Sequence, residues 1–210
     1  MVTDGKIQAL NFAIKEAIIP MRDVADENVN AQVLVRALKF STGAQWHISQ
    51  PTPVENFEWT DLAADGTTDM GKALSMVADQ LKMPPMSARA LPPVLVLISD
   101  GQPTDDFAKG LQDLMNEPWG KKAVRMAVAI GEDANSEVLQ KFIGNTELQP
   151  LHANNPEALV RQIRWLSTAV LKAASSPNSQ IAGSGTAAGN MPPIPLPPDI
   201  TGPATAADVW

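Results

Sequence analysis

Apolar positions alternate between helical and strand spacing along the first 175 residues. A helix comes first, predicted by apolar residues that recur every three or four positions: Ile7, Leu10, Ile14 and Ile18. Pro20 is expected to distort or end this helix, because proline has no N–H to donate. Two strands are predicted next, over 31–40 and 44–49, with Ser-Thr-Gly forming a tight turn between them.

The following residues repeat a strand–helix order with longer apolar runs. A helix is predicted by one apolar face and ends before two prolines: Met70, Ala73, Leu74, Val77 and Leu81, then Pro84 and Pro85. The run "PVLVLIS" at 93–99 does not alternate with polar residues, which is typical of a strand covered by helices on both faces. Further elements are predicted as a helix over 105–115, a strand over 123–131, a helix over 134–143, a weak strand over 148–153 and a last helix capped by Asn155. This order predicts an α/β fold with a doubly wound, mostly parallel sheet flanked by helices.

The composition changes at about residue 175. The segment 175–210 is rich in Gly, Ser, Ala and Pro, and it holds too few large apolar residues to form a core. We therefore predict a folded domain over 1–174 and a flexible tail over 175–210. The tail ends in Trp210, which is either an anchor for a partner protein or a residue without a role.

Charge and composition narrow the function classes. The net charge of -7 argues against a nucleic-acid partner, because phosphates require clustered Lys and Arg. The absence of cysteine excludes disulfides, thiolate catalysis and zinc–sulfur sites. No signal peptide and no membrane-spanning run are recognised, so a cytoplasmic protein that does not bind membranes is expected. Neither His47 nor His152 lies near a nucleophile pattern, and we expect no enzyme activity.

Oxygen-bearing side chains stand where a predicted strand ends and where a predicted helix begins. Asp100 follows the strand 93–99. Thr67, Thr68 and Asp69 directly precede the predicted helix that begins at Met70. Ligands of α/β sheets bind beyond the carboxyl ends of the strands, so these residues are expected at one rim. Hydroxyl and carboxylate oxygens suit Mg²⁺ or Mn²⁺. A turn at Asp100 and a helix cap at 67–69 explain the same residues without a metal.

Three stretches together resemble the von Willebrand factor A (VWA) family over roughly 1–174: "KIQALNFAIKEAI" (6–18), "DGTTDMGKAL" (65–74) and "VLVLISDGQPTDD" (94–106). The resemblance implies that Thr68 and Asp100 are the second and third elements of a metal-ion-dependent adhesion site. Thr68, rather than Thr67, matches the family's threonine. It would bind Mg²⁺ through its hydroxyl, and Asp100 would bind it directly or through water. A carboxylate of a partner protein would fill an open coordination position.

The resemblance also implies a first, central strand ending in Asp-x-Ser-x-Ser, and neither is recognised in this sequence. We expect that the chain begins one residue after that motif, through a misassigned start codon or an artificial boundary. A true loss of the segment is the alternative. In either case the adhesion site is incomplete, and weak Mg²⁺ binding is expected.

The likeness is greatest to bacterial VWA proteins of tellurite-resistance-type operons. It implies a scaffold or recognition subunit in a bacterial stress or signalling system, with a protein kinase or phosphatase as partner and with the tail as a second docking segment. One alternative is a metal-free VWA scaffold that binds through its loops and tail. Another is a small phosphotransfer or hydrolase-like enzyme that uses Asp100 as a nucleophile.

Overall fold

The computed structural model describes residues 5–28 and 32–174. Its helices are α1 (Lys6–Glu27), α2 (Met70–Gln80), α3 (Phe107–Asn116), α4 (Pro118–Lys122), α5 (Ser136–Ile143), α6 (Pro156–Trp165) and, after a wider helical turn over Leu166–Val170, α7 (Leu171–Ala174). Its strands are β1 (Leu34–Ser41), β2 (Gly43–Pro53), β3 (Val94–Ser99), β4 (Val124–Ile130) and β5 (Leu151–Ala153). The predicted tail lies outside the described residues, so the division at residue 175 stays a prediction.

The strands form two sheets. β3, β4 and β5 are parallel, in that order, with Val96 opposite Met126 and Val128 opposite Leu151. β1 and β2 form a separate antiparallel hairpin, joined through Thr42 alone. The predicted α/β class is confirmed. The expectation of one sheet is not met in the described residues, because no strand lies between the hairpin and β3.

Helices cover both faces of the parallel sheet, as the doubly wound prediction requires. On one face α1 and α6 pack on β4 through a cluster of buried side chains that includes Leu10, Ala13, Leu159, Ile163, Met126 and Val128. On the other face α2, α3 and α5 pack on β3 and β4 through a cluster that includes Met70, Leu74, Leu114, Phe142, Leu97 and Ala127. Consecutive residues of β3 and β4 therefore alternate between two apolar layers.

The longest helix decides between the two expectations for Pro20. α1 continues through Pro20 to Glu27, so the helix does not end there. Proline removes one backbone hydrogen bond, and the buried Ala17, Ile18 and Ala25 on either side hold the helix against the rest of the protein. The cap of α6 is confirmed, because the Asn155 side chain accepts from the N–H of Ala158 at 2.8 Å. None of the helices in the described ranges is both long and apolar enough to span a bilayer.

Candidate functional site

Two loops meet at the rim where β1 and β3 end. The N–H of Asp69 donates to the carbonyl of Ser41, the last residue of β1, at 3.1 Å. An ideal Cβ built on Gly101 would lie 3.5 Å from Oγ1 of Thr68. Gly101 directly follows Asp100, so the hydroxyl of Thr68 lies beside the turn that carries Asp100. The two loops predicted to converge are therefore neighbours in the fold.

Thr104 joins these loops by a reciprocal pair of hydrogen bonds. The N–H of Thr68 donates to Oγ1 of Thr104, and the N–H of Thr104 donates to the carbonyl of Thr68, both at 2.9 Å. The Thr104 hydroxyl also donates to Oδ1 of Asp69 at 2.9 Å. The backbone at Thr68 is thus fixed on both sides, which leaves its side-chain hydroxyl toward Gly101.

Asp69 acts as a structural acceptor at this rim. Its Oδ2 accepts the N–H of Gly43 at 2.7 Å, and its Oδ1 accepts the hydroxyls of Thr104 and, at 3.3 Å, Thr67. The hydrogen bond from Gly43, followed by that from Thr104, lowers the pKa of Asp69, because both favour the charged carboxylate. Asp69 therefore ties the hairpin turn to the loop before α2.

The two consecutive acids Asp105 and Asp106 cap different helices. Asp106 is the N-cap of its own helix α3, where its carboxylate accepts the N–H of Lys109 at 2.9 Å. Asp105 reaches α2 instead and accepts the N–H groups of Gly71 and Lys72 at 2.8 and 2.7 Å. These are unpaired donors of the first turn of α2, so Asp105 attaches the loop after β3 to the helix that follows Thr68.

Helices α2 and α3 approach each other through their backbones. An ideal Cβ on Gly110 would lie 2.1 Å from the carbonyl oxygen of Gly71, and one on Gly71 would lie 2.2 Å from the carbonyl oxygen of Asp106. Side chains at either position would force these backbones apart. This contact sets the position of the first turn of α2, and with it the position of Thr68.

The donor set at the rim suits a hard cation with few protein ligands. Asp100 is half-buried and follows Ser99, whose side-chain oxygen accepts the N–H of Gly101 at 3.3 Å. Within 5–28 and 32–174 there is no group of three His, Cys, Asp or Glu residues that could hold a metal. A hydroxyl from Thr68 and a carboxylate from Asp100 fit Mg²⁺, which commonly keeps several waters and takes only one or two protein carboxylates.

Comparison with known families decides what kind of domain this is. A family profile described as von Willebrand factor type A domain matches residues 39–162. The chain belongs to the VWA family. VWA domains are a family of protein-interaction modules, so binding, rather than catalysis, is the general function of the class. The match covers both rim loops, including Thr68 and Asp100.

Solved structures agree with the VWA fold. The chain is similar to a von Willebrand factor type A protein from Catenulispora acidiphila (18% identity, TM-score 0.54), over 76% of this chain and 38% of that one. It is also similar to the ArnB paralog VWA2 from Sulfolobus acidocaldarius (19%, TM-score 0.51), over 72% of this chain and 39% of that one. A third is proximal thread matrix protein 1 from the mussel byssus, described with a zinc-occupied MIDAS motif (16%, TM-score 0.53), over 79% and 45%. The VWA chain thus spans less than half the length of each, and these identities show the fold alone. No curated protein sequence matches it significantly.

Proposed function

We propose that this VWA domain binds a partner protein at its rim through Mg²⁺, which Thr68 and Asp100 help to hold. The observation that carries the proposal is the position of the Thr68 hydroxyl beside Gly101, the residue after Asp100, where a Cβ built on Gly101 would lie 3.5 Å from Oγ1 of Thr68. The zinc-occupied MIDAS motif of the mussel byssus protein, which has a similar fold, supports a divalent ion at this place. The ion would supply positive charge to a carboxylate of the partner.

The charge of the protein gives a physical reason for using a cation. A chain with a net charge of -7 repels an acidic partner at long range. A divalent ion at the rim reverses the local sign and makes the site attractive to an acidic side chain. The partner would therefore bind only with the ion present, and its binding would weaken when the ion is chelated.

The proposed type of VWA protein and the proposed partner follow from the family resemblance. We place the domain with the VWA proteins of tellurite-resistance-type operons, as a cytoplasmic scaffold or recognition subunit for a protein kinase or phosphatase. This part is supported by the two rim motifs, "DGTTDMGKAL" and "VLVLISDGQPTDD", and by the family membership. Direct binding of the purified domain to a kinase or phosphatase encoded beside its gene would test it.

Calorimetric titration with Mg²⁺ tests the metal site. The full chain is expected to bind the ion, and Thr68→Ala and Asp100→Asn are each expected to weaken binding by tenfold or more. Thr67→Ala is the matched control, because its hydroxyl contacts Ser41, Thr42 and Asp69 and not the Asp100 turn. It should leave the affinity within about twofold of the original.

A second function, partner binding without a metal, is favoured by the small number of protein ligands at the rim. The described residues contain no group of three acids or histidines that could hold a metal. Two oxygen ligands alone give weak metal binding. If the full chain binds no Mg²⁺ at millimolar concentration, or if Thr67→Ala lowers the affinity as much as Thr68→Ala does, the metal site is wrong and the metal-free scaffold replaces it.

A further inference from the structure

Helix α3 is apolar over a wider arc than its contacts with the core require. One row of its residues is buried against the sheet and α2: Phe107, Gly110 and Leu114. A second apolar row, spaced by three and four residues, lies beside the first: Ala108, Leu111 and Met115. Ala108 is exposed, and the other two are half-buried. The second row is therefore an apolar surface that the described part of the chain covers only in part.

This second row faces α5 across a groove, which we call the α3–α5 groove. It has a volume of about 420 Å³, and its walls include Ala108, Leu111 and Met115 of α3 and Val138 and Lys141 of α5. The groove exists because α3 lies close to α2, where Gly71 and Gly110 let the two backbones touch. On its other side α3 carries larger side chains, which hold α5 at a distance.

The end of the α3–α5 groove that lies away from the rim is basic. Lys141 is in the last turn of α5, and Lys121 and Lys122 are in the last turn of α4. Arg125 joins these two helix ends. Its guanidinium donates to the carbonyl of the residue after Lys141 at 2.7 Å and to that of the residue before Lys121 at 3.0 Å. The three lysines are therefore neighbours.

Nearby acids do not neutralise these lysines. Within the described ranges, none of the three lies within ion-pair distance of a carboxylate. Asp113 and Glu117 line a different groove, beside α2, together with Lys82. Glu147, in the loop after α5, offsets part of the positive charge. This end of the groove thus attracts acidic groups, although the whole chain has a net charge of -7.

The shape and charge of the groove fit a helix in one direction. From Ala108 to Met115 the apolar row is about 10 Å long, or two helical turns. A helix with apolar residues at matching spacing can cover such a row. Acidic residues are most favourable in the first turn of a helix, because of its macrodipole. They meet Lys141 only if the helix runs antiparallel to α3, with its N-terminus at the basic end.

We infer that the α3–α5 groove binds an amphipathic helix of a partner protein, with an acidic first turn. The apolar face of this helix covers Ala108, Leu111 and Met115, and its acids contact Lys141 and the neighbouring lysines of α4. The groove uses none of the proposed Mg²⁺ ligands, so neither proposal depends on the other.

Other occupants fit the groove less well. The chain's own stretch 191–198 contains five prolines, which exclude a regular helix, and the stretch 175–190 contains no acid. A second copy offers α1, on which Phe12 and Ile19 are 56% and 62% exposed. The first turn of α1 carries Lys6 and no acid, so it would be repelled by the basic end.

Fluorescence polarisation of a labelled synthetic helix, titrated with the full chain, tests the groove. The probe is an alanine-based peptide with leucines spaced three and four residues apart and with three glutamates in its first turn. It is expected to bind, and replacing its glutamates by lysines should weaken binding at least tenfold. Moving the glutamates to the last turn should weaken binding as well, because the antiparallel helix would then place them away from Lys141.

Variants of the protein locate the peptide. Lys141→Glu should weaken binding tenfold or more, and Ala108→Gln should weaken it at least fivefold by filling the apolar row with a longer side chain. Arg161→Glu is the matched control, because it reverses a charge on α6, which packs on the opposite face of the sheet. It should change the affinity by no more than about twofold. All three residues are exposed, so the variants are expected to fold.

Several outcomes would overturn the inference. No binding at millimolar concentration, equal binding by either altered peptide, or equal losses in Lys141→Glu and Arg161→Glu would each contradict it. Binding that becomes tenfold tighter when 175–210 are removed would identify the chain's own tail as the occupant. Dimers in sedimentation that Lys141→Glu dissociates would identify a second copy. A chelator should leave peptide binding unchanged, so failure of the metal site and failure of the groove are distinguishable.

Discussion

Strands β3 and β4 are similarly apolar but very differently buried. In β4 every residue except Arg125 is at most 1% exposed. In β3 only Leu97 and Ser99 are buried, and Val96 is 41% exposed. Both strands have helices on their two faces, but among the described residues only β4 has a strand on each side. Apolar sequence alone therefore does not bury a strand, because burial also requires neighbours in the plane of the sheet.

The same comparison explains how the rim is held together. In the parallel sheet, β3, β4 and β5 are held together by backbone hydrogen bonds. Between β3 and the hairpin, side chains of the rim loops make the connections instead: Thr104 to Thr68, Asp69 to Gly43, and Asp105 to the first turn of α2. The proposed binding site thus lies where loops, and not a continuous sheet, set the geometry.

The largest loss of stability is expected from a change that separates α2 from α3. α2 packs both on the parallel sheet and on Phe40 of the hairpin. Gly110→Ala places a Cβ 2.1 Å from the carbonyl of Gly71, so the backbones must move apart. We expect the free energy of unfolding to fall by roughly 3 kcal/mol, as for an overpacked core. Chemical denaturation measures this change. Gly101→Ala is the control, since its Cβ would lie 3.5 Å from Thr68, and an equal loss in both variants would contradict the close helix contact.

A matched pair of valines sharpens the comparison between the strands. Val128→Ala in β4 removes two buried methyl groups at a residue that is fully buried, and should lower the free energy of unfolding by about 2 kcal/mol. Val96→Ala in β3 removes the same groups from an exposed side chain and should cost about 0.5 kcal/mol or less. Denaturant titration of both variants checks the difference. Equal losses would mean that the edge of β3 is covered in solution.

Much of the fold was predictable because it depends on local patterns. The apolar face of the helix before Pro84 was identified from residue spacing, and Met70, Ala73, Leu74 and Leu81 are all buried. The hairpin followed from its Ser-Thr-Gly turn. The division into two sheets was not predictable from apolar runs, because which strands are neighbours depends on contacts between distant residues. That α1 continues past Pro20 was not predictable for a related reason, since its buried residues on either side pack against distant parts of the chain.

The sequence was sufficient to predict the two main residues of the candidate site. It was not sufficient to predict the residues that hold them in position. The end of a strand and the start of a helix placed Thr68 and Asp100 at one rim, and the structure brings their loops together. That these residues bind a metal stays a prediction. Thr104 was missed, because a threonine between proline and aspartate fits an ordinary turn. The sequence signal that could have pointed to contacts of this loop was the pair of acids Asp105 and Asp106. The N-cap of a single helix uses only one acid, so the second was available for another element.

The smallest effect concerns the connection between the loop after β3 and α2. The consecutive acids Asp105 and Asp106 allow a matched test of it. Asp106→Asn should be nearly neutral, because asparagine is as good an N-cap as aspartate. Asp105→Asn keeps one acceptor oxygen for two N–H donors, those of Gly71 and Lys72, and loses the charge at the first turn of α2. We expect it to lower the free energy of unfolding by about 1 kcal/mol and to speed amide exchange at these two donors. Because the changes are chemically identical at adjacent positions, an equal effect of both would mean that Asp105 caps no second helix, and that the loop after β3 is held to α2 by Thr104 and the glycine contact alone.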